Sequence, residues 1–110
     1  IPSWLNDYHL LVLACLYKFK SCLTSCTMGE GHFSLISNNG GISVSNDYYE
    51  RFAATIEQLE NEGLVLLRGE ISSGRLTVQS SNPLFQTLVD HNVLDIEKNP
   101  LIASLPVEIA

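Results

Sequence analysis

The chain has 110 residues, of which 45% are hydrophobic and 16% charged, and its formal net charge is −6. This length and composition predict one globular domain over residues 1–110 and exclude an intrinsically disordered chain. The acidic balance argues against a broad basic surface for nucleic acid, so any contact with DNA must be local or shared with other domains.

Three cysteines, an odd number, and the lack of an Asn-X-Ser/Thr sequon are typical of a reducing compartment, the cytosol or the nucleus. The chain begins at Ile1 without a methionine, so we expect it to be a fragment of a longer protein. Its longest apolar run, Leu10 to Leu16, is far shorter than the roughly 20 residues that cross a bilayer. No membrane contact is expected.

Residues 1–5 are interpreted as a linker or cap, in which Trp4 packs on the body of the domain. Residues 6–20 predict a first helix, since Asn6 is a suitable N-cap and Lys18 lies in the last turn, where a cation favours the helix dipole. Apolar residues surround most of its girth, which places this helix at the centre of the core. A buried strand is the alternative for such a run, and length favours the helix.

The next segment is weakly specified. Residues 21–32 are interpreted as a connector, with a helical turn through Ser21 to Cys26. Residues 33–37 form either a short strand or a short helix that packs Phe33 and Ile36 inward. The sequence "NNGG" predicts a turn or loop, and the residues that follow it are extended.

Residues 45–63 give the firmest element, a helix capped by Ser45 or Asn46. Its apolar stripe has a period of 3.6 residues and ends at Gly63, a suitable left-handed stop. The stripe consists of Tyr49, Phe52, Ala53, Ile56 and Leu59.

Two strands are predicted after this helix, "LVLLRG" and "RLTVQS", joined through "GEISSG". Asn82 and Pro83 then open a short helix as N-cap and first residue. Residues 95–110 form an apolar C-terminal tail, which either packs on its own domain or meets a partner.

Four phrases of this sequence carry a resemblance to a known family: "HLLVLACLY", "LENEGLV", "SSGRLTV" and "LFQTLVDHNVL". In this order the chain resembles the C-terminal winged-helix domain of the origin recognition complex and Cdc6 initiator family. The fold class implied is α+β but mostly α, a winged helix-turn-helix in which a helix bundle carries a two- or three-stranded β-wing.

The resemblance implies a module of a DNA replication initiation complex in the nucleus. Such a module acts through contacts with other subunits and weak contacts with the backbone of duplex DNA. The ATP site of that family lies in an upstream module, and the chain contains no G-x-x-x-x-G-K phosphate loop. The alternative is a winged-helix module for protein–protein interaction in another nuclear or cytoplasmic complex, with no DNA binding.

The charges of the second helix oppose its insertion into a DNA groove, because acids near phosphates counteract the release of counterions. Asp47, Glu50, Glu57 and Glu60 are therefore candidates for a surface that meets a basic partner, with a solvated face as the alternative.

The hairpin offers candidates for contact with DNA phosphates: Arg68 and Arg75 as cations, and Ser72 and Ser73 as hydrogen-bond donors. The alternative is that both arginines keep an edge ribbon soluble.

No metal site, cofactor or catalytic centre is predicted. Cys22, Cys26 and His32 provide three potential zinc ligands, whereas a structural zinc site needs four. The sequence around His32 offers neither an orienting partner nor an oxyanion site for a nucleophile. We therefore expect a binding module with no small-molecule substrate.

Overall fold

The computed structural model describes residues 1–26, 32–104 and 107–109. Its strands form one six-stranded antiparallel sheet in the order β4-β5-β1-β2-β3-β6. The helices are α1 (Asp7–Phe19), α2 (Tyr49–Asn61), α3 (Pro83–Asp90) and α4 (Leu101–Ser104). The strands are β1 (Cys22–Cys26), β2 (His32–Ser37), β3 (Gly40–Ser45), β4 (Val65–Glu70), β5 (Ser73–Val78) and β6 (Val107–Ile109). Single 3₁₀ turns occupy Asn46–Tyr48 and Ile96–Lys98.

The predicted fold class is wrong in its main feature. The domain is α+β, but it is not a mostly α winged helix-turn-helix, because the sheet has six strands rather than a small wing. The predicted hairpin, β4–β5, does follow the second long helix, yet β5 also pairs with β1 and so joins the hairpin to the antiparallel strands β1, β2 and β3, which precede it in the chain. The helical core that a winged helix requires is thus replaced by helices packed on one face of a sheet.

The first helix is confirmed and is central to the core. The side chain of Asn6 accepts hydrogen bonds from the backbone N–H groups of Tyr8 and His9, at 2.9 and 3.3 Å. In return, the Nδ1 atom of His9 accepts the Asn6 N–H at 3.1 Å, which completes a capping box. Every residue from Leu11 to Leu16 is at most 1% exposed, as expected for a helix that is apolar all round.

The second long helix is confirmed as well, with a shorter extent than predicted. It begins at Tyr49 after the 3₁₀ turn, and neither Ser45 nor Asn46 is its N-cap. Gly63 follows its end with φ of 73°, a conformation that costs glycine little. Phe52, Ile56 and Leu59 are buried as the helical stripe predicts.

β1 takes the place of the helical turn expected between Ser21 and Cys26. Its pattern is unusual, because Leu23 is 50% exposed while Thr24 is only 3% exposed. The Thr24 hydroxyl accepts the Gly74 N–H at 2.8 Å and donates to the Glu70 carbonyl at 3.2 Å. This satisfies the buried hydroxyl and ties β1 to the β4–β5 hairpin.

Of the two alternatives for residues 33–37, the strand is confirmed and the helix is wrong. Phe33 and Leu35 are fully buried on the face of the sheet that the helices cover, whereas Ile36 is 39% exposed on the opposite face. A two-residue turn of Asn38 and Asn39 then leads into β3. Residues 42–44 are extended within β3, as predicted.

The apolar tail packs on its own domain. Ile96 and Leu101 are 3% and 8% exposed, and Ile109 of β6 pairs with Ile42 of β3. At the other end of the chain, the Trp4 ring contacts the His9 ring edge-on, with centroids 5.2 Å apart. Both terminal segments therefore contribute to the domain.

Two cysteine thiols meet in the core. The Sγ atoms of Cys15 and Cys22 lie 3.9 Å apart, and both residues are fully buried. The hydrogen bond to Cys22, together with burial, raises the pKa of the Cys15 thiol well above its ordinary value of 9.0. The folded state therefore keeps a proton at a pH where the unfolded chain loses it.

We expect this thiol to make the domain less stable in alkali. Above about pH 9 the unfolded chain loses the Cys15 proton that the folded chain keeps, so the free energy of unfolding falls as the pH rises, by at most about 1.4 kcal/mol per pH unit. Urea unfolding between about pH 8 and 10, under reducing conditions, measures the slope. The control is the double variant Cys15→Ala/Cys22→Ala, which should lose stability less steeply. Parallel profiles for the two proteins would contradict the assignment.

Candidate binding surfaces

Arg68 and Arg75 lie directly opposite each other on the open face of the sheet, which the helices leave uncovered. The register pairs Arg68 of β4 with Arg75 of β5, Arg75 with Leu23 of β1, Leu23 with Ile36 of β2, and Ile36 with Gly41 of β3. We call these five residues the open-face row. Opposite residues in such a row lie about 4.5–5.5 Å apart between Cα atoms.

Arg68 and Arg75 repel each other, and neither forms an ion pair with a described carboxylate; Glu70, two residues after Arg68 in β4, pairs with Ser73. Like charges directly opposite on adjacent strands destabilise a sheet. Among the described side chains the ion pair is Lys98 with Asp95, and no carboxylate lies within 4.0 Å of either arginine. An anion that lies between the two guanidinium groups would relieve this repulsion.

Arg75 is held in place by its neighbours. Its Nη1 atom donates to the hydroxyl of Ser21 at 3.0 Å. Two shallow depressions, of about 170 and 350 Å³, flank it on the open face and share Leu23 and Arg75 in their linings. The larger one also contains Arg68 and Ser73, so the structure brings three of the four predicted phosphate-contact residues together.

Ser72 lies apart from this group. The β4–β5 loop is the two-residue turn Ile71–Ser72, shorter than the predicted "GEISSG" connection. The Ser72 carbonyl accepts the Cys26 N–H at 3.3 Å, and Ser72 lines a different depression, on the α2 side of the hairpin. Because successive side chains along a strand point to opposite faces, Ser73 lies on the open face with Arg68 and Arg75, whereas Ser72 does not.

This depression, of about 460 Å³, lies between α2 and the β4–β5 hairpin; we call it the α2–β4 groove. Its apolar lining is formed by Tyr49, Ala53, Ile56, Leu67 and Ile71. Tyr49, Leu67 and Ile71 are half-buried side chains that pack against the core while still reaching the surface, and Ala53 is also half-buried.

Glutamates surround this apolar lining. Glu57 and Glu60 come from α2, and Glu70 comes from the end of β4. One carboxylate oxygen of Glu60 accepts the backbone N–H of Leu67 at 3.1 Å, so the helix satisfies an edge group of the sheet. The structure therefore groups two of the four predicted partner-surface residues with an apolar groove.

Asp47 and Glu50 do not line the groove. Asp47 lies in the 3₁₀ turn that precedes α2, and Glu50 lies in the first helical turn; both are exposed. The position of Glu50 suits the positive end of the α2 dipole.

A fourth depression, of about 350 Å³, lies between α1 and α2 and contains His9. The His9 Nδ1 atom accepts a backbone N–H, so Nε2 carries the proton and donates to the Gln58 side chain at 2.8 Å. Arg51 stacks over the Tyr8 ring at 5.1 Å. Both ring nitrogens of His9 are used structurally, which leaves neither to act as a base.

The cysteines and His32 do not form a site in the part of the chain that the structure describes. Cys22 is buried beside Cys15, whereas His32 is exposed at the start of β2. Among residues 1–26, 32–104 and 107–109, no three His, Cys, Asp or Glu side chains are grouped to hold a metal ion. In the same residues, no helix has the length and apolar character needed to span a membrane.

No protein family, curated protein or solved structure matches the chain. The resemblance to the initiator family therefore stays a prediction from the sequence.

Proposed function

We propose that the domain is a binding module of a larger assembly, in which Arg68 and Arg75 contact the phosphate backbone of duplex DNA. The observation that carries this proposal is the placement of two arginines directly opposite each other with no carboxylate partner among the described side chains. Guanidinium groups form paired hydrogen bonds with phosphate oxygens, and Ser73 lies beside them.

The contact is weak and independent of base sequence. The formal charge of −6 opposes approach to DNA, and only a local pair of cations favours it. By the register of the described strands, no Phe, Tyr or Trp faces the open side of the sheet, so stacking on unpaired bases contributes little. The rest of the affinity comes from the other subunits of the assembly.

Membership of a replication-initiation complex, and with it a nuclear location, rests on the sequence resemblance alone. The second candidate function is a protein–protein interaction module that does not touch DNA. The specific observation in its favour is the exposure of Leu23 and Ile36, at 50% and 39%, side by side in the open-face row.

Binding of labelled duplex DNA, followed by fluorescence anisotropy from about 50 to 200 mM salt, tests the proposal. Two phosphates contacted by two arginines should give a log–log salt slope of about −2, because each neutralised phosphate contributes about −0.9. Arg68→Ala/Arg75→Ala should bring the slope close to zero.

The matched control is Arg51→Ala/Lys98→Ala, which removes the same number of charges on the helix side of the sheet. It should leave the slope near that of the original protein. Equal effects of the two double variants would mean that net charge alone governs binding. No binding at the lowest salt concentration would favour the protein-interaction candidate.

A further inference from the structure

We infer that the α2–β4 groove is a docking site for a partner protein segment whose apolar side chains are flanked by lysine or arginine. The groove is a separate surface from the open-face row and does not depend on the proposed DNA contact. Three features of the groove support a basic partner segment: its apolar lining, the charges around it and the adjacent edge of the sheet.

The apolar lining offers a place for inserted side chains. Tyr49, Leu67 and Ile71 are half-buried against the core. Ala53 is also half-buried, and Ile56 is 1% exposed. The Tyr49 ring contacts Phe33 with centroids 6.2 Å apart, so this side chain is supported from below. Burial of such a surface by another chain is the usual source of interface free energy.

The charge around the lining specifies a basic partner. Glu57, Glu60 and Glu70 all line the groove, and no Lys, Arg or His is among the described residues that line it. In the described part of the chain, none of the three carboxylates has a cation within 4.0 Å. Complementary charges guide association and favour one class of partner over another.

The free edge of β4 bears on whether the partner binds as an added strand or through its side chains. β4 is an edge strand of the sheet. The Leu67 N–H points away from β5, toward the open edge at which a further strand could pair with β4. Because the Glu60 carboxylate already accepts this N–H, addition of a strand at this point would require that bond to break. The partner therefore binds through its side chains, with apolar residues in the groove and cations at Glu57 and Glu70.

The test uses a synthetic peptide in which leucines are flanked by lysines, together with its counterpart in which glutamate replaces each lysine. Titration into the isotope-labelled protein, followed by two-dimensional NMR, locates the site and gives the affinity. The lysine peptide should shift signals from Tyr49, Ala53, Ile56, Leu67 and Ile71, and the glutamate peptide should not. No shift in the groove at about 1 mM lysine peptide would overturn the inference.

Charge variants test the role of the glutamates. Glu57→Gln/Glu70→Gln should weaken binding of the lysine peptide about fivefold, and it leaves the Glu60 bond to Leu67 in place. The matched control, Asp47→Asn/Glu50→Gln, removes the same charge outside the groove and should change affinity by less than about twofold. Equal weakening by both variants would show attraction to the overall acidic charge and would overturn the docking site.

Discussion

Replacement of Leu35 by alanine is expected to lower the free energy of unfolding by about 2–5 kcal/mol, whereas Ile36→Ala should lower it by less than about 1 kcal/mol. Leu35 is fully buried on the covered face of β2, and the adjacent Ile36 is 39% exposed on the open face. Urea unfolding of the two variants measures the difference. The result separates a strand from the helical alternative, which would place Phe33 and Ile36 inward.

Ile42→Ala provides the matched control for this comparison. Ile42 pairs with Leu35 in the β2–β3 register and is also fully buried, so its replacement should resemble Leu35→Ala. A large loss for Ile36 with a small loss for Leu35 would contradict the register of β2 and, with it, the position of the open face.

The helices α1, α2 and α3 could be predicted because their signals are local, whereas α4 lies in the segment that was predicted only as an apolar tail. Asn6 before an apolar run, a stripe of period 3.6 from Tyr49, and Asn82 followed by Pro83 each specify a helix or its start within a few residues. The Asn82 side chain accepts the Leu84 N–H at 2.9 Å, as expected for an N-cap. Such features need no knowledge of the rest of the fold.

The helical turn predicted in place of β1 is wrong, and the sequence left β2 open between a strand and a helix, because the patterns of both strands depend on distant partners. Thr24 is buried only because Gly74 and the Glu70 carbonyl, which lie far along the chain, satisfy its hydroxyl. Leu23 occupies the exposed position beside it, which inverts the usual alternation. A strand of this kind is defined by its neighbours in the sheet rather than by its own composition.

The candidate sites likewise combine features that are visible in the sequence with features that depend on distant residues. The sequence identifies Arg68 and Arg75 as the cations of a hairpin, but only the register places them opposite each other and beside Leu23. The acidic face of the second helix is also visible in the sequence. Packing of α2 against β4 creates the apolar groove beside Glu57 and brings the Glu60 carboxylate to the Leu67 N–H. Neither feature has a signal in the sequence.

Gly41→Ala is expected to lower the free energy of unfolding by about 2–4 kcal/mol, because a methyl group at this position would overlap the carbonyl oxygen of Leu35. The backbone of β2 or β3 must then shift, since neither partner is a flexible side chain. Gly41 is the last residue of the open-face row, so the shift would also disturb Ile36 beside it. Urea unfolding measures the loss of stability, and NMR shifts along β2 show whether the hairpin has moved.

Gly63→Ala is the control that separates steric overlap from backbone conformation. Gly63 has φ of 73°, and the nearest atom that an added methyl would meet is the Asn82 side chain at 3.5 Å. Its replacement should therefore cost only about 1–2 kcal/mol, the penalty of a left-handed conformation. If Gly41→Ala cost no more than a typical exposed substitution, the close approach of β2 and β3 would be disproved. That result would contradict the pairing of Ile36 with Gly41 in the β2–β3 hairpin, which is part of the sheet that distinguishes this fold from the predicted winged helix.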